Sequence, residues 1–426
     1  MTKLRRRLIL ARLAVASTLL GALSCGGPRV PEGSSILLIT IDTLRADHLS
    51  MYGYERQTSP VLDGLAAEGV RFDQATVQWP KTGPSFASIF TATFPKNNRI
   101  VRKIGIPLPQ KFLMLAEVLR GLGYQTHAVV ANGAVASDFH FDQGFDSYVE
   151  SWTQPPRDDG ADPNAAGAVN ELVAALLPQM DPDKPFFLWV HYLDPHFPYT
   201  PPPPYTDMFQ GDEHFDPSVR LEIDRSRQKF DMMKLGRQQV LDERDDLAFY
   251  VARYDAEIAY NDSKVGELMA MLTEAGLMER TLTVMTSDHG ESLGEHHYYF
   301  DHGRFGFQTC LNVPLFFHYP GVLEPRVVSD PVMLVHLTPT LLEVAGVELE
   351  DGAFMQGRSL LPRLLGRERQ AGDEPDYVYS EAGYGRRDMW QRIVRDERFK
   401  FVYAQEGEAQ RWITGSVGKE LALYDL

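Results

Sequence analysis

Two apolar runs that each end in an aspartate constrain this chain more than any other feature. Ile36–Ile41 (ILLITI) runs straight into Asp42-Thr43, and Leu282–Thr286 (LTVMT) into Ser287-Asp288-His289. Neither run shows the apolar–polar alternation of a half-exposed strand, so both read as strands buried on two faces, covered by helices. Open α/β sheets collect their ligands at the carboxyl ends of such strands. Two parallel strands of one sheet would bring Asp42, Asp288 and His289 to one edge. Two carboxylates and an imidazole form a donor set for a divalent cation.

The third component is QWPKTGPSFASIFTATFP, residues 78–95. The Gly-Pro-Ser turn leads into a helix from Phe86, which places Thr82 at or beside the helix N-cap and Pro84 in its first turn. A hydroxyl there faces free backbone N–H groups and the positive end of the helix dipole, where an anionic phosphoryl or sulfuryl group can dock.

Further elements follow from the pattern. Thr58-Ser59-Pro60 opens a helix through Val61, Leu62, Leu65 and Ala66, stopped by Gly69. A helix is predicted at about 111–121, a strand around Thr126–Ala131 and a helix from about 165 to 178. The strand Phe186–Val190 then runs into a Pro-rich loop carrying His191, Asp194 and His196. Residues 206–244 are polar and irregular, reading as an insertion or lid. Leu247, Val251, Tyr254, Ile258, Val265, Leu268 and Leu272 define a long amphipathic helix, with Asp255, Glu257 and Asp262 read as its solvated face. A strand at Val313–Phe317 and a short helix from Pro339 to Gly346 follow. From about residue 370, short alternating runs at 377–379, 392–394 and 399–403 predict an antiparallel C-terminal subdomain.

Net charge of −16 argues against general nucleic-acid binding, and makes a bound metal the simplest cationic feature for an anionic ester. Lys3, Arg5, Arg6 and Arg7, the apolar run LILARLAVASTLLGAL and Ser24-Cys25 form an export signal over residues 1–25. Its end resembles a bacterial lipobox, with Ala22 where Leu or Val is usual and Cys25 as the lipidated residue. The expectation is a protein of the bacterial cell envelope, periplasmic or surface-exposed, held to a membrane by a lipid anchor, with an ordinary secretory signal or an uncleaved anchor as the alternatives. Residues 26–34 read as a tether. Cys310 then has no partner, so no intrachain disulfide is expected, and it reads as a small buried apolar residue.

ITIDTLRADHLSMYGY, the Thr82 segment and TSDHGESLGEH together resemble the sulfatase family of the alkaline phosphatase superfamily. TSPVLDGLAAEGVRF, YLDPHFPY, YDAEIAYNDSKVGEL, HGRFGFQTCLNVPLFFHYPG and LTPTLLEVAG extend the likeness along most of the chain. The resemblance implies an alkaline-phosphatase-like α/β fold, with a mixed, mostly parallel sheet flanked by helices over residues 35–369. It implies a small antiparallel subdomain over 370–426, where relatives usually continue. It puts Asp42, Asp288 and His289 on metal-ligand positions and Thr82 on the nucleophile. His196 matches a substrate-contacting His, and His302 a Lys or His that touches substrate or a second metal.

The departures bear on the chemistry. Sulfatases carry Cys or Ser in Cys-x-Pro-Ser-Arg and oxidise it to formylglycine; here the five positions are Thr82, Gly83, Pro84, Ser85 and Phe86. Threonine's methyl group prevents that aldehyde, and the Arg is missing. VVANGAVASDFH has no counterpart to the family's Gly-Lys-Trp-His stretch. A Thr nucleophile with an Asp-His pair is more like the superfamily's phosphodiesterases, phosphonate-ester hydrolases and phosphoethanolamine or glycerophosphate transferases. The His ligand favours Mn²⁺ or Zn²⁺, with Ca²⁺ or Mg²⁺ as alternatives.

The expected function is metal-dependent hydrolysis of sulfate or phosphate esters on a glycan or lipid through a covalent Thr82 intermediate. The alternatives are a transferase passing that group to an alcohol and a catalytically silent surface lipoprotein that binds glycans or partners. His191, His296 and His297 read as loop histidines, Arg45 and Asp47 as a structural pair, and Lys81 as an exposed neighbour of the site.

Overall fold

A computed structural model of the protein describes residues 29–101, 105–155, 162–211, 216, 218–224, 235–236, 240–349, 355–367, 377–383, 389–404 and 421–426. The expected signal at 1–25 with its Cys25, the start of the tether and much of 206–244 lie outside the described residues.

The run before Asp42 forms β1 (Ser35–Ile41), buried along its whole length. It belongs to a mixed sheet with β2 (Val70–Thr76), β3 (Gln125–Val130), β4 (Ser147–Glu150), β5 (Phe186–Tyr192), β6 (Thr281–Ser287) and β7 (Asn312–His318). The spatial order is β2, β7, β6, β1, β5, β3, β4, with short strands Arg326–Val328 and Val332–Met333 beside β2. β6, β1, β5, β3 and β4 are mutually parallel, while β7 runs against both its neighbours. Ile41 lies in register with Ser287 on β6 and Tyr192 on β5. Asp42 and Asp288 therefore leave the sheet side by side.

Strand periodicity divides the core into two layers. Ile36, Leu38, Phe187, Trp189 and Val284 share one layer with Phe86 and Phe90 of α2 (Thr82–Thr91) and Leu115 of α3 (Leu115–Gly121). Leu37, Ile39, Leu188, Val190 and Met285 share the other with Leu62 of α1 (Pro60–Ala67), Val169 of α4 (Ala166–Leu176) and Ile258 of α5 (Leu247–Glu274). Each buried side chain of this size contributes about 1.5–3 kcal/mol. Slipping β1 by one residue would exchange its two faces and forfeit several such terms at once, so the register that aligns Asp42 with Asp288 is strongly specified.

α2 is buried from end to end, and the Phe86 and Phe90 rings pack 4.8 and 4.7 Å from Trp189. Two of its hydroxyls bond back along the helix: Ser88 donates to Pro84 O (3.0 Å) and Thr91 to Ala87 O (2.5 Å). α3 starts at Leu115 rather than near 111, because Glu117 accepts from the Met114 N–H (3.0 Å) and closes the first turn there.

The acids of α5 are not a solvated face. Asp255 is fully buried and accepts from Tyr54 Oη (2.6 Å) and Arg56 Nη1 (2.7 Å), with His48 Nδ1 at 2.6 Å. Asp262 accepts from the Val61 and Leu62 N–H groups (3.0 and 2.8 Å), capping α1 from outside its own chain segment. Glu257 accepts from Thr200 N (2.5 Å). Residues 44–58 and the loop after β5 cover the flanks of α5, whereas its helical periodicity reports only the stripe that meets the sheet.

The tail forms the expected antiparallel sheet of β8 (Val378–Ala382), β9 (Gln391–Arg395), β10 (Phe399–Ala404) and β11 (Leu421–Asp425). Ser380 Oγ donates to Val77 O (2.6 Å) and Glu381 N to Gln78 O (2.9 Å). The small sheet thus braces the segment leading to Thr82. Among the described residues no helix is long and apolar enough to cross a membrane.

Candidate metal centre

Asp42, Asp288 and His289 meet at the carboxyl edge of β1 and β6. Their ligand atoms lie within 4.8 Å of one another, and all three residues are fully buried. His289 Nε2 stands 3.3 Å from Asp288 Oδ2 and 3.7 Å from Asp42 Oδ1. His289 Nδ1 lies 2.9 Å from Gly290 O, which only accepts, so Nδ1 carries the proton and Nε2 turns its lone pair to the carboxylates. Gly290 permits this turn, since a Cβ there would sit 2.0 Å from Thr309 O.

Thr82, the first residue of α2, brings its Oγ1 to 3.2 Å from His289 Nε2. No side chain caps the first turn of α2, so the positive end of that helix is unscreened at Thr82.

The electrostatics call for a cation. Burial and then the Asp42 charge push Asp288 well above the carboxylate range. Burial also acts to raise Asp42, but the surrounding His191, His196 and His289 hold it below that range. Burial pushes the His289 imidazole down to about 3. Asp42 Oδ1 and Asp288 Oδ2 are buried without a hydrogen-bond partner. Unpaired carboxylate oxygens facing a neutral imidazole and an alcohol are costly without a counter-ion. The donor set fits a divalent metal.

The other two expected residues stand beside this trio. The His302 ring lies 4.1 Å from that of His289, and the His196 ring meets His302 edge-on at 5.4 Å. Glu291, fully buried, faces His302 Nδ1 at 3.0 Å and fixes the ring orientation. His196 Nδ1 faces Phe197 O at 2.7 Å, so Nδ1 carries the proton and Nε2 is the basic nitrogen of the ring.

Two residues depart from their expected roles, and a third had none. Lys81 is buried, donating to His302 O (3.2 Å) and lying 3.7 Å from Asp301, so it ties the His302 turn to the head of α2. His191 lies inside β5, because the strand continues two residues beyond Val190; its ring packs 4.9 Å from Phe86 and its Nε2 is 3.7 Å from Asp42 Oδ2. Asn132, one residue beyond the expected end of the β3 run, donates from Nδ2 to the same Asp42 oxygen. Asn132 follows its strand as Asp42 follows β1, and that placement is the signal for it in the sequence. Arg45 pairs with Asp47 (2.7 Å) as expected, and also with Glu295 (2.6 Å). Cys310 is buried, and burial pushes its thiol pKa up.

The profile of the Sulfatase family matches residues 34–347, and that of the N-sulphoglucosamine sulphohydrolase C-terminal region matches 294–413. An arylsulfatase of Clostridium perfringens is 24% identical, over 91% of this chain and 89% of its own. A solved enzyme in complex with its substrate D-glucosamine-2-N,6-O-disulfate superposes with a TM-score of 0.74 at 22% identity, covering 92% of this chain and 91% of that one. The phosphonate monoester hydrolase of Agrobacterium radiobacter superposes at 0.69 with 24% identity, covering 92% and 89%.

Proposed function

The chain belongs to the sulfatase family, and from that membership we propose a metal-dependent hydrolase of sulfate or phosphate esters in which Thr82 is the nucleophile. The observation that carries this reading is the Thr82 Oγ1 atom, 3.2 Å from His289 Nε2 at the rim of the Asp42–Asp288–His289 cluster. A divalent ion held by those three side chains and Thr82 Oγ1 would favour the alkoxide and offset the charge of the ester. The imidazole favours Mn²⁺ or Zn²⁺ over Ca²⁺ or Mg²⁺.

Thr82 Oγ1 forms a bond to the central S or P atom as the bond to the leaving oxygen breaks. His302, oriented by Glu291, lies beside His289 on the side open to His196; either imidazole, in its protonated form, would give one proton to the leaving oxygen or balance charge around the anion, while the proton of Thr82 passes to solvent as the alkoxide forms. Water then displaces the group and restores the Thr82 hydroxyl. Threonine acts as a plain alcohol, and this favours phosphorus esters. Relatives named for sulfate and for phosphonate esters support both elements as candidates for one site. The disulfated glucosamine of a structural relative supports a sulfated or phosphorylated glycan as the substrate class. The basic, apolar and Ser24-Cys25 stretches of residues 1–25 support export and lipid anchoring.

The test is turnover of nitrophenyl sulfate and bis-nitrophenyl phosphate by wild type and Thr82→Ala, with intact-mass detection of a modified Thr82 peptide. Loss of turnover and of the adduct in Thr82→Ala is expected. Unchanged turnover would remove Thr82 from the mechanism.

A further inference from the structure

His196 and His302 sit on separate loops, and nothing in either loop alone sets the 5.4 Å between their rings. The adjoining aromatic residues join the two loops. Phe197 follows His196, Phe300 precedes His302 by two residues, and their rings stack at 5.9 Å and 11°. Phe300 also stacks on Tyr250 (4.8 Å, 28°) and meets Tyr199 edge-on at 5.6 Å. Tyr199 in turn contacts Phe197 (5.1 Å) and Tyr254 (5.4 Å). Tyr250 and Tyr254 are one turn apart on α5, so the rings rest on a rigid floor. Tyr254 Oη also donates to Thr43 O (2.8 Å) and accepts from Arg45 N (3.0 Å), beside Asp42.

The turn bearing Phe300 is strained. His296, His297 and Phe300 have φ of 56°, 57° and 48°, a left-handed region that side chains this large rarely adopt. Such a backbone persists only where its surroundings hold it. Phe300, 4% exposed, is the side chain that buries itself from this turn into the aromatic group, while Gly303 is pressed against Lys81. The metal-binding trio draws on β1 and β6 and does not use the turn.

Resting on the reading of His196 and His302 as substrate-contacting groups, we propose that Phe300 is a positioning residue: its stack on Phe197 clasps the two loops together and sets the His196–His302 pair.

The experiment is a double-mutant cycle of Phe300→Ala and His302→Ala on the full chain, read as kcat/KM for the nitrophenyl esters, with Mn²⁺ or Zn²⁺ affinity by calorimetry. Phe300→Ala is expected to lower kcat/KM by about 10–100-fold, the loss typical of a catalytic group displaced by about an ångström. It should leave metal affinity within about twofold and add less than about twofold in the His302→Ala background. Phe300→Tyr, which keeps the stack, should recover most of the activity, and it serves as the working variant where Phe300→Ala does not fold. Full activity in Phe300→Ala, equal losses in both backgrounds, or a Phe300→Tyr as impaired as a folded Phe300→Ala would overturn the clasp. A His302→Ala with wild-type activity would instead sink the reading of His302, a separate result.

Discussion

The hydroxyl oxygen of Thr82 and the Nε2 of His289 are 3.2 Å apart, although they come from a helix start and a strand end on different parts of the chain. If Thr82 is the attacking group, Thr82→Val keeps the side-chain shape and removes only the oxygen. Turnover should fall by more than about 10³-fold, the scale of losing a nucleophile. Thr82→Ser should keep measurable activity, because the hydroxyl remains while the stiffening methyl is lost. Steady-state kinetics with the two ester probes decides it, and a Thr82→Val as active as Thr82→Ser would exclude the assignment.

His191 and Asn132 both address Asp42 Oδ2, leaving Oδ1 to face the cation site. Residues that orient a metal ligand typically matter by about 10–100-fold in affinity. His191→Phe preserves packing on Phe86 and Trp189, so a weakening of about tenfold or more in calorimetric metal affinity is expected with little change in melting temperature. Identical affinity would show that Asp42 is held without it.

Asp255 is the buried hub of His48, Tyr54 and Arg56. Asp255→Ala strands Arg56, itself 5% exposed, without its carboxylate. Breaking such a network costs about 3–5 kcal/mol, to be read as a lowered urea midpoint. A loss below about 1 kcal/mol would mean that the network relaxes into solvent.

His336 links stability to pH away from the metal. Its Nδ1 accepts from Arg358 N (2.9 Å), and burial together with Arg358 and Arg363 pushes it down to about 3 from 6.5. The unfolded chain therefore binds a proton between those values that the folded chain refuses. Stability from this residue is complete above pH 6.5 and is lost as pH falls toward 3, by up to about 1.4 kcal/mol per pH unit. His336→Asn keeps an acceptor and cannot titrate, so its urea midpoint should fall less steeply over that range. An unchanged slope would rule the residue out.

Most of this architecture is legible in the amino-acid sequence, because unbroken apolar runs admit few alternatives. The ends of β1 and β6 alone place Asp42 and Asp288, and the Pro and Gly neighbours of Thr82 place the head of α2. His191 escapes such a reading because a histidine does not look like an interior strand residue. Its ring lies against Phe86, and its polar atoms face Asp42 and Thr40. Lys81, Asp255 and Asp262 look solvent-facing in the sequence for one shared reason. Their partners lie far away along the chain, and helical periodicity carries no trace of a loop folded over a helix flank.

The parallel pairing of β1 with β6 has a kinetic implication. Strands so distant along the chain come together only after long-range closure, which is slow compared with local helix formation. The two aspartates do not meet until that closure is complete, so tight ion uptake should arrive last during refolding. A fluorescent zinc indicator followed beside far-ultraviolet dichroism would time the zipping of the two halves, and the ion would act as a seal on a finished sheet rather than a seed for it.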